Sequence, residues 1–180
     1  FIYSIALIIF MRPALFWFPK YLPFLKLGQT IFEPKFPLKK MSSFQAGLSK
    51  NWQARLKNII SIRQQKAKAF TASFQKNDNL TSSMIYQNGT HSLLRFPLKI
   101  YDSQTFDRIL SKSKKKGLGI MRSYPDSINN IKELQNYFKN KTYPNANMIS
   151  KHLLTLPVHH FLSLSDSLKI KELINNELGF

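Results

Sequence analysis

The sequence predicts an α+β fold, with helices packed on a short sheet. Three observations carry this reading. Apolar residues recur at helical spacing from Phe44 to Phe74. Short strand-like apolar runs follow at 93–100, 118–121 and 154–158. The segments then alternate as helix, strand, helix, strand, helix, strand, helix, with no internal repeat and no low-complexity tract.

The chain opens on an apolar run from Phe1 to Phe10, extended by Met11 and interrupted by Arg12, Pro13 and Pro19. A membrane-spanning helix needs about 20 apolar residues, so this run is too short to cross a bilayer. No basic leader precedes it and no small-residue cleavage site comes after it, so it does not read as a signal peptide. Besides a true span, which the length argues against, two readings stay open. One is a buried helix at the edge of a truncated domain. The other is a membrane-surface contact through residues 1–28, because Phe16 to Gly28 mixes aromatics, prolines and two lysines, a composition suited to a bilayer interface. Pro34, Pro37 and the Lys39-Lys40 pair separate this segment from the rest of the chain. The expected division is 1–34 and 35–180.

Ser42 and Gln45 form a capping-box pattern and start a long helix. Its apolar face is Phe44, Leu48, Trp52, Leu56, Ile59 and Ile60, continued by Phe70 and Phe74, with the basic residues mostly elsewhere. Asn77-Asp78-Asn79 ends it, and residues 77–91 read as loop. Leu93 to Ile100 is a strand in which Pro97 favours an edge or a bulge. Asp102 or Ser103 caps the next helix, which buries Phe106, Ile109 and Leu110. Lysines at 114–116 and then Gly117 suit its negative end and a left-handed cap. Next come a strand at Leu118 to Met121, a loop from Arg122 to Asn130 and a helical turn or two at Ile131 to Phe138. Asn145 caps a short helix to Leu153, Leu154 to Val158 is a buried strand, and Ser163 with Asp166 opens the last helix. The apolar face of that helix is Leu168, Leu173 and Ile174, with Ile170 beside it.

The 180 residues carry 27 Lys and Arg against 9 Asp and Glu, a net charge of +18. Between Lys35 and Lys76 there are ten basic residues and no acid. Such a surface attracts polyanions, but neither zinc-finger spacing nor an RNP-type aromatic motif accompanies it, so nucleic acid is not the expected partner. A solvated helix face accounts for the charge as well. The chain has no cysteine, which excludes disulfides and thiolate metal sites. His159 and His160 are paired, but His152 lies at no recognised ligand spacing from them, so no metal is expected. The chain begins with Phe1 rather than Met, which points to a cut.

Three blocks together resemble the DegT/DnrJ/StrS family of pyridoxal-phosphate aminotransferases acting on keto-sugars. The first is Tyr143-Pro144-Asn145-Ala146, then Leu156-Pro157-Val158-His159, then a helix opening near Ser163-Leu164-Ser165-Asp166. The second is the helix with Met41, Ser42, Gln45, Ala46, Leu48, Leu56, Ile59, Arg63 and Phe70. The third is Leu93 to Ile100 with Gly117 to Ile120. They keep the family's order across about Lys35 to Leu178. The resemblance implies the small C-terminal domain of a fold-type I aminotransferase with its connecting helix, and makes residues 1–34 a remnant or insertion of the large domain.

The resemblance further implies a cytoplasmic homodimer with pyridoxal phosphate as cofactor, a keto-sugar nucleotide as substrate and glutamate as amino donor. The family's Schiff-base lysine and most phosphate ligands precede the block at Met41, and no counterpart of that lysine's motif occurs here, so no catalytic residue is assigned. Where the family has an Asn reaching the partner's cofactor phosphate, this chain has Leu38, beside Lys39 and Lys40. Arg122 and Tyr124 fall in a region the family uses near the sugar, and His159 closes the Leu-Pro-x-His turn. These three are the candidate substrate residues. The alternative is a non-enzymatic basic module that docks on an anionic membrane surface or nucleic acid.

Overall fold

In the computed structural model the described residues are 2–10, 15, 17–25, 38–74, 92–139 and 141–179. The chain divides into two compact units, Phe1–Pro34 and Lys35–Phe180. The first holds helix α1 (Ile2–Phe10) and a single-turn helix α2 (Trp17–Lys20), then a 3-10 turn at Pro23–Leu25. Phe10 and Phe18 stack at 5.6 Å between ring centroids. Ile8, Tyr21 and Phe24 are largely exposed. None of the described helices is long and apolar enough to cross a membrane.

The second unit begins with α3 (Ser43–Leu48) and α4 (Trp52–Phe74). The capping box is present: Gln45 N–H donates to Ser42 Oγ at 3.2 Å, and Ser42 N–H donates to Gln45 Oε1 at 2.9 Å. The expected single long helix is broken at 49–51, where Asn51 takes a φ of +60°, a left-handed conformation that asparagine tolerates better than most residues. The expected apolar face is only half used. Phe44, Leu48, Trp52 and Leu56 are exposed, Ile59 and Ile60 are half-buried, and Ala67, Phe70 and Phe74 are buried. Tertiary packing, not periodicity, decides which turns of an amphipathic helix are covered. The expected helix end at 77–79 and the loop to 91 lie outside the described residues.

The sheet is β1 (Arg95–Lys99), β2 (Met121–Arg122) and β3 (Leu153–Pro157), antiparallel, in the order β1-β3-β2. Register pairs Arg95 with Pro157, Leu98 with Leu154 and Met121 with Thr155. Pro97 sits on edge strand β1, where a missing N–H costs least. The second strand is two residues long and shifted: Leu118 and Ile120 are buried but lie outside it. Between β1 and β2 runs α5 (Ser103–Lys116), whose cap is Asp102, accepting from Thr105 N–H at 2.7 Å. Gly117 ends it at a φ of +65°.

A 3-10 helix at Lys132–Phe138 leads to α6 (Pro144–His152). Its cap is Tyr143, not Asn145, because Pro144 takes the first helical position, which suits a residue with fixed φ and no N–H. The last helix, α7 (Leu164–Leu178), is capped by Ser163 Oγ, which accepts from Asp166 N–H at 3.0 Å. It buries Ile170, Leu173 and Ile174, while Leu168 is exposed. Glu177 binds both Arg108, at 2.9 Å, and Lys112, tying α7 to α5. Phe96 and Leu98 from β1, Ile100 just after it, and Leu154, Leu156 and Val158 from the β3 segment meet α4, α5 and α7 in one core.

Candidate functional site

Central strand β3 separates the candidate residues. Ser123 N–H donates to the Leu153 carbonyl at 3.0 Å, so Tyr124 emerges at the start of β3. His159 lies beyond its end. Six residues of extended chain put roughly 15–20 Å between these places. The fold does not bring His159 together with Arg122 and Tyr124.

At the first end, Tyr124, Ile128, Phe138, Tyr143, Ala146 and Ile149 line a cleft of about 540 Å³. Phe138 and Tyr143 meet edge to face at 5.7 Å. The polar rim is a connected network. Ser127 Oγ donates to Asn147 Oδ1. Ser127 N–H donates to Asp126 Oδ1 at 2.7 Å, and Asn130 Nδ2 donates to the same oxygen at 2.8 Å. Those bonds, led by the one from Asn130, hold the Asp126 carboxyl below the usual carboxylate range. Aromatic walls with a few fixed polar groups suit a small organic ligand.

Arg122 turns away from this cleft. Its guanidinium lies 4.7 Å over the Phe106 ring and 3.7 Å from Asp107, both on α5. Phe138, Tyr143, Ser127 and Asn147 were not among the sequence candidates. Tyr143 and Asn147 fall in or beside the matched Tyr-Pro-Asn-Ala block, which was the available signal.

At the other end, Lys66 Nζ donates to the His159 carbonyl at 2.9 Å and to the Leu162 carbonyl. Arg95 Nε donates to Thr155 Oγ1 at 2.8 Å, and its Nη2 donates to the Thr155 carbonyl at 2.9 Å and to the Gly119 carbonyl. Arg63 and Lys66 are thus half-buried against the loop after β3, whereas the sequence pattern set the basic residues on other faces of the helix. His160 stacks on Phe161 at 3.9 Å. His152 donates through Nδ1 to the Ile100 carbonyl at 2.9 Å and closes the end of β1.

Burial lowers the pKa of His159, and Lys66, Arg95, His160 and Arg63 lower it further. The unfolded chain therefore takes up a proton that the folded chain refuses as pH falls below about 6.5. In phosphate-free buffer, stability is expected to be flat above that pH and to decline below it. His159→Gln should flatten the decline. Urea midpoints between about pH 8 and 5 test this, and an unchanged slope in the variant would remove His159 as the cause.

Known proteins share this fold. The chain resembles the aminotransferase TlmJ from Streptoalloteichus hindustanus, with a TM-score of 0.60 and 18% identity over 74% of this chain and 35% of that one. It resembles a DegT DnrJ EryC1 StrS aminotransferase from Brucella abortus, with a TM-score of 0.64 and 16% identity over 86% and 41%. It also resembles Helicobacter pylori PseC, an aminotransferase involved in the biosynthesis of pseudoaminic acid, with a TM-score of 0.64 and 16% identity over 84% and 42%. The chain thus spans about 35–42% of the length of these structures. At such identities the likeness shows fold, here that of the small domain of fold-type I aminotransferases. No curated protein sequence matches the chain. The model of the DegT/DnrJ/EryC1/StrS aminotransferase family matches residues 38–175, most of the chain, with its helices and strands in order, and the chain belongs to that family.

Proposed function

We propose that this chain is the C-terminal part of a pyridoxal-phosphate aminotransferase that moves an amino group from glutamate to a keto-sugar nucleotide. The parent enzyme is a cytoplasmic homodimer, with residues 1–34 belonging to its large domain. The observation that carries the reading is the family match across residues 38–175. The role of Helicobacter pylori PseC in pseudoaminic acid biosynthesis supports a sugar substrate. Within this chain, the cleft beside Tyr124 takes the sugar side of that substrate. Its aromatic walls receive the flat or apolar faces, and Ser127 and Asn147 orient hydroxyls. The alternative of a basic docking module rests on the net charge of +18 and the aromatic, apolar segment at 1–28.

Pyridoxal phosphate supplies the electron sink for the proton and amino-group transfers. Holding it takes a free lysine amine, an acid for the ring nitrogen and donors for the phosphate. The described residues do not fit those needs alone. Burial lowers the pKa of Lys66, but its ammonium is engaged with two carbonyl oxygens. Leu38 is exposed, and Lys39 and Lys40 line a shallow cleft with Met41 and Gln45. The isolated chain is therefore expected to retain no cofactor and to show no transamination. Gel filtration after incubation with pyridoxal phosphate tests this. Cofactor absorbance that co-elutes with the chain at one equivalent would sink the reading of an incomplete site.

A further inference from the structure

The corner around His159 is independent of the cleft and is chemically unusual. Arg63 and Lys66 stand three residues apart on α4 and share a face. Lys66 is bonded to the His159 carbonyl, which brings that face against the loop after β3. Arg95 joins from the start of β1, opposite Pro157, and His160 is next in the chain. The charges that bear most on His159 are basic: Lys66 and Arg63 from α4, Arg95 from β1, and His160 from the loop itself. Two polar atoms buried here, Arg63 Nε and His159 Nδ1, have no hydrogen-bond partner among the described residues. Buried polar groups are almost always paired, and like charges held close together cost stability until something negative joins them.

We propose that this corner binds a phosphate group, held by Arg63 and His159 within the field of Lys66 and Arg95. Arg63 Nε–H donates to one oxygen. His159 takes up a proton and donates from Nδ1 to another. The donors come from a helix and a loop rather than from one planar guanidinium fork, so they suit a tetrahedral anion better than a flat carboxylate. Arg63, Lys66, Arg95 and His159 are each partly exposed, so the rim of the corner faces solvent. Because His159 binds a proton together with the anion, affinity rises as pH is lowered from about 8 until phosphate itself begins to take up a proton.

Equilibrium dialysis of the full chain with labelled inorganic phosphate, at constant ionic strength, tests the site. One equivalent is expected to bind saturably. Arg63→Gln and His159→Gln are each expected to weaken binding at least tenfold, and His159→Gln to abolish the rise at lower pH. Lys115→Gln removes the same charge at the far end of α5 and is expected to change nothing. Far-UV spectra and melting of each variant show that it remains folded. Absence of saturable binding overturns the proposal. So does equal weakening by Lys115→Gln, which reduces the effect to net charge, or displacement by succinate as effective as by phosphate, which removes the preference for a tetrahedral anion. Failure here leaves the aminotransferase reading untouched, because the cleft beside Tyr124 plays no part in it.

Discussion

Phe96→Ala is expected to cost the 35–180 unit about 3–5 kcal/mol, enough to leave it largely unfolded at body temperature. Phe96, the second residue of β1, is 1% exposed. Its ring lies 5.6 Å from Phe70 and 6.5 Å from Phe74, which themselves stack at 6.0 Å on successive turns of α4. This three-ring cluster is where α4 meets the sheet. Truncation to alanine removes the aromatic contacts and leaves a cavity that rings on a rigid helix cannot collapse to fill. Urea unfolding measures the change. Leu94→Ala, at a neighbouring exposed position, serves as the control and should shift stability by no more than about 0.5 kcal/mol. A loss below about 1 kcal/mol for Phe96→Ala would mean that α4 is not seated on the sheet through these rings.

Deleting residues 1–34 is expected to convert an aggregating chain into a folded, more soluble one. The core residues run from Ala67 to Ile174, all in the second unit, so the deletion removes none of them. It does remove Tyr21 and Phe24, which are 79% and 75% exposed, and the exposed Ile8, Ile9 and Phe18. Contiguous apolar surface beyond a few hundred Å² is a liability in solution. The shortened chain still carries Phe44, Leu48 and Trp52 on α3 and the first turn of α4. Trp52→Glu is expected to relieve the association that remains, and an acid there also complements the positive end of the helix. Light scattering beside far-UV spectra tests both steps. A monodisperse, monomeric full chain together with an unfolded 35–180 chain would show that the first segment completes the fold, and the proposed division would fail.

Local chemistry was the legible part of this sequence. Ser42 with Gln45, Asp102, Gly117 and Ser163 each announce a helix end through groups only a few residues apart, and each is found where the pattern put it. Asn145 is a good capping residue, but Pro144 takes the first helical position and so sets the cap two residues earlier, at Tyr143. Coverage was not legible. The face from Phe44 to Leu56 has the same spacing as that from Phe70 to Phe74, and nothing in the spacing says which turns meet the sheet. For the same reason Leu168, expected on the buried face, is exposed, while Ile170 beside it is buried. In the candidate site, the resemblance led to Tyr124 and its neighbourhood. The cleft's opposite wall comes from residues up to 25 positions later, and Arg63, Lys66 and Arg95 reach His159 across 60 to 100 positions. No local signal records such a meeting.

The strand order β1-β3-β2 also sets a timetable. Synthesis runs from the N-terminus, yet the middle strand of the sheet is the last one made. Arg95 leaves the ribosome well before its partner Thr155, 60 residues later. Until then β1 and β2 have nothing to pair with, and Phe70, Phe74 and Phe96 wait without the strand that completes their layer. Pairings this distant are slow to form, and strands left waiting are open to pairing with other chains. A ribosome stalled anywhere before Leu153 would therefore hold a nascent chain of helices without a sheet. The pairing of β1 and β2 into one sheet therefore waits on the strand made last.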